Sequence, residues 1–171
     1  MNRNRLTGFV LAAVIFIVDQ LIKAWVVGPM NINTAGDVHE ILPFFDLRFV
    51  ANIGISLGLL PADGPIMRWA LVALTAAIAA GVGMWMWREN VRGDLIALAL
   101  VLGGALGNIL DRIRLGYVVD YADLHFGEWR PFLVFNVADA AITIGVVILL
   151  IRSLFARKSV KGGPSGEVGN A

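Results

Sequence analysis

Aspartates at the ends of apolar segments are the residues of this chain that could do chemistry. Asp139 lies in the stretch FNVADAAITIGVVILL, residues 135–150, almost all of which would suit a helix in lipid. An ionised carboxylate in hydrocarbon costs about 2.5–3.5 kcal/mol on insertion scales, and such residues usually face the interior of a helix bundle and mark function. Asp120 and Asp123 lie in GYVVDYAD, shortly before this stretch.

A pair of carboxylates could carry out acid–base chemistry. Two aspartates that lie close together cannot both ionise easily, so one of them keeps a proton. The ionised member can take a proton from water while the protonated member donates to a peptide carbonyl oxygen, and the resulting diol collapses with cleavage. Buried carboxylates also serve proton-coupled transporters, and a polar cluster could be structural in a non-enzymatic assembly factor. The carboxylates alone leave these alternatives open.

Other reaction types find little support in the residues. The absence of cysteine excludes disulfides, thiolate metal sites and a cysteine nucleophile. The two histidines, His39 and His125, lack the H-E-x-x-H spacing of a zinc site, and there is no G-x-S-x-G elbow or phosphate-binding glycine loop. We therefore expect no metal and no other cofactor.

The composition predicts an integral membrane protein. Of 171 residues, 58% are hydrophobic and 16% are charged, and the mean hydropathy is +0.76, which is too apolar for a soluble domain of this size. A net charge of +1 suggests no nucleic-acid partner. Four segments come near the roughly 20 residues that a spanning helix needs. The predicted spans are about 6–27, 67–87, 95–110 and 133–155, the third being the shortest.

The basic residues predict the orientation of these spans. Arg3 and Arg5 precede the first span, and because no small-x-small cleavage pattern follows it, we expect an uncleaved helix. Arg88 and Arg92 lie between the second and third spans, and further basic residues follow the fourth. The positive-inside rule therefore places both termini in the cytoplasm and the loops at about 28–66 and 112–132 outside.

The predicted domain organisation is simple. In the first outer loop, Phe45, Leu47 and Phe49 alternate with charged residues, which predicts a small extracytoplasmic sheet. The fold class expected is an all-α membrane protein of four helices with this small β-containing region. We expect one domain over residues 1–155 and a polar, glycine-rich, disordered tail over 156–171.

Polar residues gather at the outer end of each span. Asp19 and Lys23 share a helix face in the first span. The same holds in the third span for Asn108, Asp111 and Arg112, and in the fourth for Asn136, Asp139 and Thr143. If the four helices form a bundle, these groups converge near the outer membrane surface.

Structural roles are the alternatives for these polar groups. Asp19 and Lys23 could be an ordinary helix-end pair, and Asn136 could cap the fourth helix. Asp111 and Arg112 could form an interfacial anchor, and for this pair a structural role is the interpretation we favour. Gly103 and Gly107 form a small-xxx-small pair that allows close helix approach.

The sequence resembles the bacterial lipoprotein signal peptidases, the type II signal peptidases, which are four-span aspartic peptidases of the inner membrane. Five segments carry the resemblance, in order between residues 19 and 142: DQLIK, NIG, GGALGNILDR, VVDY and FNVADAAI. The resemblance implies removal of signal peptides from lipoprotein precursors by cleavage before a diacylglyceryl-modified cysteine. It also implies a monomer in the bacterial inner membrane, bound by lipid, with its active site near the outer face.

The resemblance implies the roles of individual residues. It assigns the catalytic pair to Asp120 and Asp139, whereas spacing alone does not exclude Asp123. The supporting or substrate-binding residues that it implies are Asp19, Lys23, Asn52, Gly54, Asn108, Asp111, Arg112, Asn136 and Ala138. The sequence departs from the family pattern after NIG, where Ile55 and Leu57 replace small residues and a phenylalanine, and this concerns the shape of a substrate-covering loop.

Overall fold

The computed structural model describes residues 3–54 and 65–161 of the chain. Ile55 and Leu57, and with them the loop after NIG, lie outside the described residues. Within the described ranges, seven elements follow one another: α1 Arg3–Val27, β1 Val38–Leu42, β2 Phe45–Asn52, α2 Pro65–Arg88, α3 Arg92–Arg114, β3 Val118–Leu124 and α4 Val137–Lys161. All four of these helices are long and apolar enough to cross a membrane, so the predicted fold class is confirmed.

Helix α3 lies at the centre of the bundle. In its most apolar stretch 61% of residues are buried inside the protein, against 17–22% in the other three helices. Its side chains Leu95, Leu98 and Leu102 join a core with Ala12 of α1 and Met86 of α2. Since the other helices leave most of their apolar surface exposed, that surface is available to lipid.

Glycines let two helices approach α3 closely. A Cβ added at Gly103 would lie 2.5 Å from the Ala12 carbonyl oxygen of α1, and one added at Gly107 would lie 2.5 Å from a carboxylate oxygen of Asp19. On the side of α4, a Cβ at Gly104 would overlap the Ala138 backbone. The small-xxx-small interpretation is therefore confirmed for Gly103 and Gly107. Close helix packing brings the C-terminal halves of α1 and α3 and the N-terminal end of α4 together.

A three-stranded antiparallel sheet covers one end of this bundle, in the order β1-β2-β3. The predicted strand is confirmed, and Leu47 and Phe49 are buried against Val119 and Tyr121 of β3. The alternation is incomplete, because Asp46 is also buried. The register places Val50 opposite Asp120. Strand β3, which begins four residues after the end of α3, thus carries Asp120.

Several predicted boundaries differ from the structure. The third helix is longer than predicted, because α3 extends from Arg92 to Arg114, although with 23 residues it is still the shortest of the four described helices. Its polar residues pair inside the bundle and do not end the helix. Helix α4 begins at Val137, later than predicted, since Phe135 pairs with Ala122 in an extended bridge. The same helix continues to Lys161, so residues 156–161 are helical where disorder is predicted.

Candidate active site

Asp120 is held in the sheet by amide groups. Its carboxylate is 2% exposed and accepts hydrogen bonds from Asn52 Nδ2 at 2.9 Å and from Asn136 Nδ2 at 2.6 Å. Asn52 lies on the neighbouring strand β2, while Asn136 lies just before α4. The two amides fix the carboxylate on both sides without bringing a cation to it.

Asp139 lies in the first turn of α4. Its backbone N–H donates to Asn136 Oδ1 at 2.8 Å, and its carboxylate Oδ2 accepts the Asn136 backbone N–H at 3.3 Å. This reciprocal pair is a capping box with an aspartate in the place usually held by glutamate. A third contact comes from Asn108 Nδ2, which donates to Asp139 Oδ1 at 2.8 Å.

Asn136 therefore joins the two aspartates. One end of its side chain accepts from the Asp139 backbone, and the other donates to Asp120, to the Val119 carbonyl oxygen at 3.3 Å and to Asn108 Oδ1 at 3.3 Å. The predicted helix cap is confirmed. The same residue also connects the start of α4 to β3, so capping and positioning are not alternatives.

Burial raises the pKa of Asp120 to about 6. The charge of the Asp139 carboxylate contributes to this increase, whereas the hydrogen bonds from Asn52 and Asn136 and the charge of Lys23 lower the pKa. At pH values below about 6, Asp120 is therefore mostly protonated beside a second carboxylate. This is the protonation state that shared acid–base chemistry requires.

A second set of predicted residues lies close to Asp120 and Asp139 and connects three helices. Lys23 is 4% exposed and forms salt bridges of 2.8 Å with both Asp19 and Asp111, and it donates to Asn108 Oδ1 at 3.1 Å. Asp19 Oδ1 in turn accepts the Ala138 backbone N–H at 3.0 Å. Asp19 and Lys23 are thus more than a helix-end pair, because they connect α1 to α3 and α4.

Asp111 is not an interfacial anchor. It is 4% exposed, and besides Lys23 its carboxylate accepts the backbone N–H of Val119 at 3.2 Å. The anchor interpretation is wrong because Asp111 faces the bundle interior, where its charge is paired. Through Val119 it fixes the start of the strand that carries Asp120.

Gln20 is a member of this network whose role the sequence does not reveal. Its Nε2 donates to Asp111 Oδ1 at 2.9 Å, to Asp19 Oδ2 at 3.2 Å and to the Gly107 carbonyl oxygen at 3.3 Å. A clue is present in the sequence, since an amide inside an apolar span needs partners. Helix spacing places Gln20 three residues before Lys23, at the side of the same face, but it does not show that the Gln20 amide reaches Asp111 of another helix.

Gly54 and Arg112 lie together beside the dyad formed by Asp120 and Asp139. Gly54 has a φ of +95°, which a side chain would strain, and a Cβ there would lie 2.6 Å from Leu71 of α2. The Arg112 guanidinium is within electrostatic range of Asp120 and Asp139. All of the predicted site residues are thus brought into one region, at the C-terminal ends of α1 and α3 and the N-terminal end of α4.

Asp123 is excluded from this region by the geometry of β3. Residues an odd number apart point to opposite faces of a strand, and Asp123 pairs with Arg48 and Arg130 at 3.1 Å each. His125 lies nearby and pairs with Asp46 at 3.1 Å. Within the described residues, no group of three His, Asp or Glu side chains is placed to hold a metal ion.

Two cavities border the dyad. The first has a volume of about 310 Å³, reaches Asp120, and is lined by Val50–Gly54 on one side and Leu133 and Val134 on the other. The second, of about 250 Å³, is mainly apolar and reaches Asp139 along the α4 face of Ala140, Thr143 and Ile144. Leu133 lines both cavities, so one polypeptide segment borders access to both carboxylates.

Comparison with known proteins assigns the family. The family model described as signal peptidase (SPase) II matches residues 11–155. The chain belongs to the signal peptidase II family. Its relatives include the lipoprotein signal peptidase of Rhizorhabdus wittichii, 56% identical over 91% of this chain and 90% of that protein. That of Sphingopyxis alaskensis is 53% identical over 86% of this chain and 84% of that protein.

A solved structure supports the fold of this signal peptidase II. A bacterial membrane enzyme determined by the in meso method at 2.3 Å resolution matches with a TM-score of 0.75 and 28% identity, over 95% of this chain and 94% of that one. Membership of this family makes the chain a multi-pass membrane peptidase. Among the three alternatives left by the residues, the family favours the enzyme over the transporter and the assembly factor.

Proposed function

We propose that this chain is an aspartic endopeptidase that removes the signal peptide from lipoprotein precursors, cutting before the diacylglyceryl-modified cysteine. The names of its relatives indicate the substrate class. The observation that carries the catalytic assignment is the position of Asn136, whose side-chain amide donates to the Asp120 carboxylate and accepts from the backbone N–H of Asp139, so that it links the two residues across two elements. No such amide joins Asp123 to either of them within the described residues.

The reaction follows from the unequal environments of the two carboxyl groups. Ionised Asp139 takes a proton from a water molecule, whose oxygen attacks the scissile carbonyl carbon, while protonated Asp120 donates its proton to the carbonyl oxygen. The tetrahedral diol then returns a hydroxyl proton to Asp120. Asp139 passes its proton to the departing nitrogen as the carbon–nitrogen bond breaks, which restores both carboxyl groups.

Asp120 is the member that holds the shared proton in this scheme. Burial and the charge of Asp139 both raise its pKa, to about 6. The Asp139 carboxylate accepts one hydrogen bond from Asn108 and one from the Asn136 backbone, and in this scheme it is the member that takes the proton from water.

The two cavities fit the two parts of such a substrate. The apolar cavity along α4 suits the helical, hydrophobic signal peptide and its lipid, because its lining is mostly hydrocarbon. The cavity at Asp120 lies between two polypeptide segments and suits the peptide bond itself. The scissile bond would then lie where Leu133 borders both cavities.

The proposed location is the bacterial inner membrane, with a monomer of one domain over residues 1–155. Arg88 and Arg92, at the ends of α2 and α3, support a cytoplasmic middle loop, and Arg3 and Arg5 support a cytoplasmic N-terminus. The dyad lies at the opposite ends of these helices and therefore near the outer face. Reporter fusions after Arg92 and Lys161 should give cytoplasmic signals, and fusions near Asp37 and Gly127 should give outer signals. A cytoplasmic signal at Gly127 would contradict the arrangement.

The function is tested with detergent-purified full-length protein and a lipidated precursor. Wild type should shorten the precursor to the length of the peptide that begins at the modified cysteine. A precursor that lacks the lipid should be cut slowly or not at all. If wild type leaves the lipidated precursor intact under conditions where it remains folded, the proposed function is wrong.

A further inference from the structure

The N-terminal part of α2 touches the end of α3 through one side chain. Arg68 donates from Nε to the Arg112 carbonyl oxygen at 2.7 Å and from Nη2 to the Ile113 carbonyl oxygen. Its guanidinium also lies 5.2 Å from the ring centroid of Trp69, a cation–π distance that helps to fix its orientation. Arg68 is outside the residues that the sequence or the family resemblance singles out.

The carbonyl groups that Arg68 binds belong to the last turn of α3. Such groups have no partner within the helix and carry the negative end of its dipole, so a cation there is stabilising. Arg112 O also accepts the Gly116 backbone N–H at 3.2 Å. Gly116 has a φ of +89° and begins the turn into β3, so Arg68 holds the point at which the chain leaves α3 for Asp120.

The side chain of Arg112 depends on this turn for its position. Its Nη1 lies 3.5 Å from the Asn108 carbonyl oxygen, which is a long hydrogen bond. Its Nε is buried and finds no hydrogen-bond partner among the described residues. With such weak side-chain contacts, the direction of the guanidinium is set mainly by the backbone of Arg112, which Arg68 fixes.

Arg112 is the cation best placed to act on the dyad. Lys23 is already committed to two salt bridges, with Asp19 and Asp111, whereas Arg112 has none among the described residues and lies within electrostatic range of Asp120 and Asp139. In the described part of the chain, the other charged or titratable groups that interact with the dyad or with Arg112 are Lys23 of α1, Asp111 of α3 and Tyr121 of β3, and Asp19 of α1 pairs with Lys23.

The same region of α2 also touches the NIG segment. Leu71, one turn after Arg68, lies against Gly54, where an added Cβ would be 2.6 Å from Leu71 Cδ1 and 3.8 Å from Arg112 Nη2. One turn of α2 thus contacts both the backbone of Arg112, which sets the direction of its side chain, and Gly54, which lies beside the Arg112 guanidinium. A displacement of this turn would therefore disturb both the backbone of Arg112 and Gly54, which lie beside the dyad.

We propose that Arg68 is a positioning residue of the peptidase reaction, which clamps the end of α3 and so holds the Arg112 guanidinium beside the Asp120–Asp139 dyad. This rests on the proposed function. A helix cap that only stabilises the fold would change the amount of folded protein. A positioning residue also changes the pH at which the dyad loses its shared proton, because a nearby cation favours the ionised pair.

The test compares rate against pH for wild type, Arg68→Gln, Arg112→Gln and the double variant, all as full-length protein with a lipidated precursor. Arg88→Gln, at the other end of α2, is the matched control and should behave like wild type. Arg68→Gln should lower kcat about tenfold, as small displacements of catalytic groups do, with little change in KM. Its descending limb should move to higher pH, in the direction of Arg112→Gln, and the double variant should shift no further.

Arg68→Lys keeps the proposal testable if Arg68→Gln does not fold, which thermal unfolding in detergent shows. Lysine keeps the charge but cannot bridge two carbonyl groups with a rigid fork, so we expect a smaller shift in the same direction. The positioning role would be overturned if the folded Arg68 variants lost activity at the same high pH as wild type. It would also be overturned if the pH shifts of the two single variants added up in the double variant. Loss of cleavage by wild type would instead contradict the proposed function itself.

Discussion

Asp120 and Asp123 lie on one strand, and both are almost completely buried, at 2% and 0% exposure, yet their partners differ in kind. Asp123 contacts the guanidinium groups of Arg48 and Arg130. Asp120 contacts two amides, and the charge that affects its pKa most is another carboxylate, that of Asp139. The alternation of the strand separates the two environments by sending the side chains to opposite faces.

The difference shows what makes a buried carboxylate fit for catalysis. Guanidinium partners hold a carboxylate ionised and give it a structural role. Amide partners fix the geometry of a carboxyl group just as firmly, but they are neutral and allow it to gain or lose a proton. A second carboxylate close by then favours the state in which one of the two carboxyl groups is protonated. On this view it is the neutrality of Asn52 and Asn136 that matters at Asp120, besides their hydrogen bonds.

The largest effect is expected when either member of the dyad loses its charge. Asp120→Asn and Asp139→Asn keep the shape of the side chain but cannot relay a proton, and each should reduce cleavage at least about 10²–10⁴-fold, the range of a general acid–base step. Single-turnover cleavage of a lipidated precursor measures this. Either variant that keeps a third of the wild-type rate would remove that aspartate from the dyad.

A smaller but informative effect is expected when a cation is placed beside Asp120. Asn52→Lys should give Asp120 the kind of partner that Asp123 has, and an opposite charge lowers a carboxyl pKa by about 1–3 units. From a pKa of about 6, the protonated fraction at pH 7 should then fall about tenfold to a thousandfold, and cleavage with it. Asn52→Gln is the neutral control. Equal rates for the two variants would show that charge beside Asp120 is unimportant.

The smallest effect on cleavage is expected at Asp123. Asp123→Asn should keep activity within about twofold of wild type, because the side chain faces away from the dyad. It should lower the free energy of unfolding by about 1–3 kcal/mol, since hydrogen bonds to charged groups are lost. Thermal unfolding in detergent and cleavage by the same preparation measure the two effects. A loss of cleavage as large as that of Asp120→Asn would end the distinction between the two aspartates.

The sequence predicts the helices well because their signal is local. Apolar runs are visible without knowledge of packing, and the polar groups at their outer ends indicate a common layer. The end of α3 is harder to predict, because Asn108 and Asp111 interrupt the apolar run. Only their partners on other helices, such as Lys23, make these two residues compatible with the bundle interior. Strand β3 shows no alternation because both of its faces are buried.

The contacts that depend on packing could not be predicted. Nothing in the spacing of Gln20 or Arg68 shows that their side chains reach α3, because each contact joins two helices far apart in the sequence. The choice of Asp120 over Asp123 came from the family resemblance, and the register of β3 now supplies a physical reason for it.

The measurement that tests the central claim most directly is kcat/KM against pH for the wild-type enzyme, with folding checked at each pH. If Asp120 and Asp139 share one proton, they titrate as a pair and the profile is a bell. Activity should fall at low pH, where both are protonated, and should fall again as the pH rises through about 6, where Asp120 loses its proton. A rate that climbs steadily into the alkaline range, with no descending limb, would contradict a shared-proton dyad.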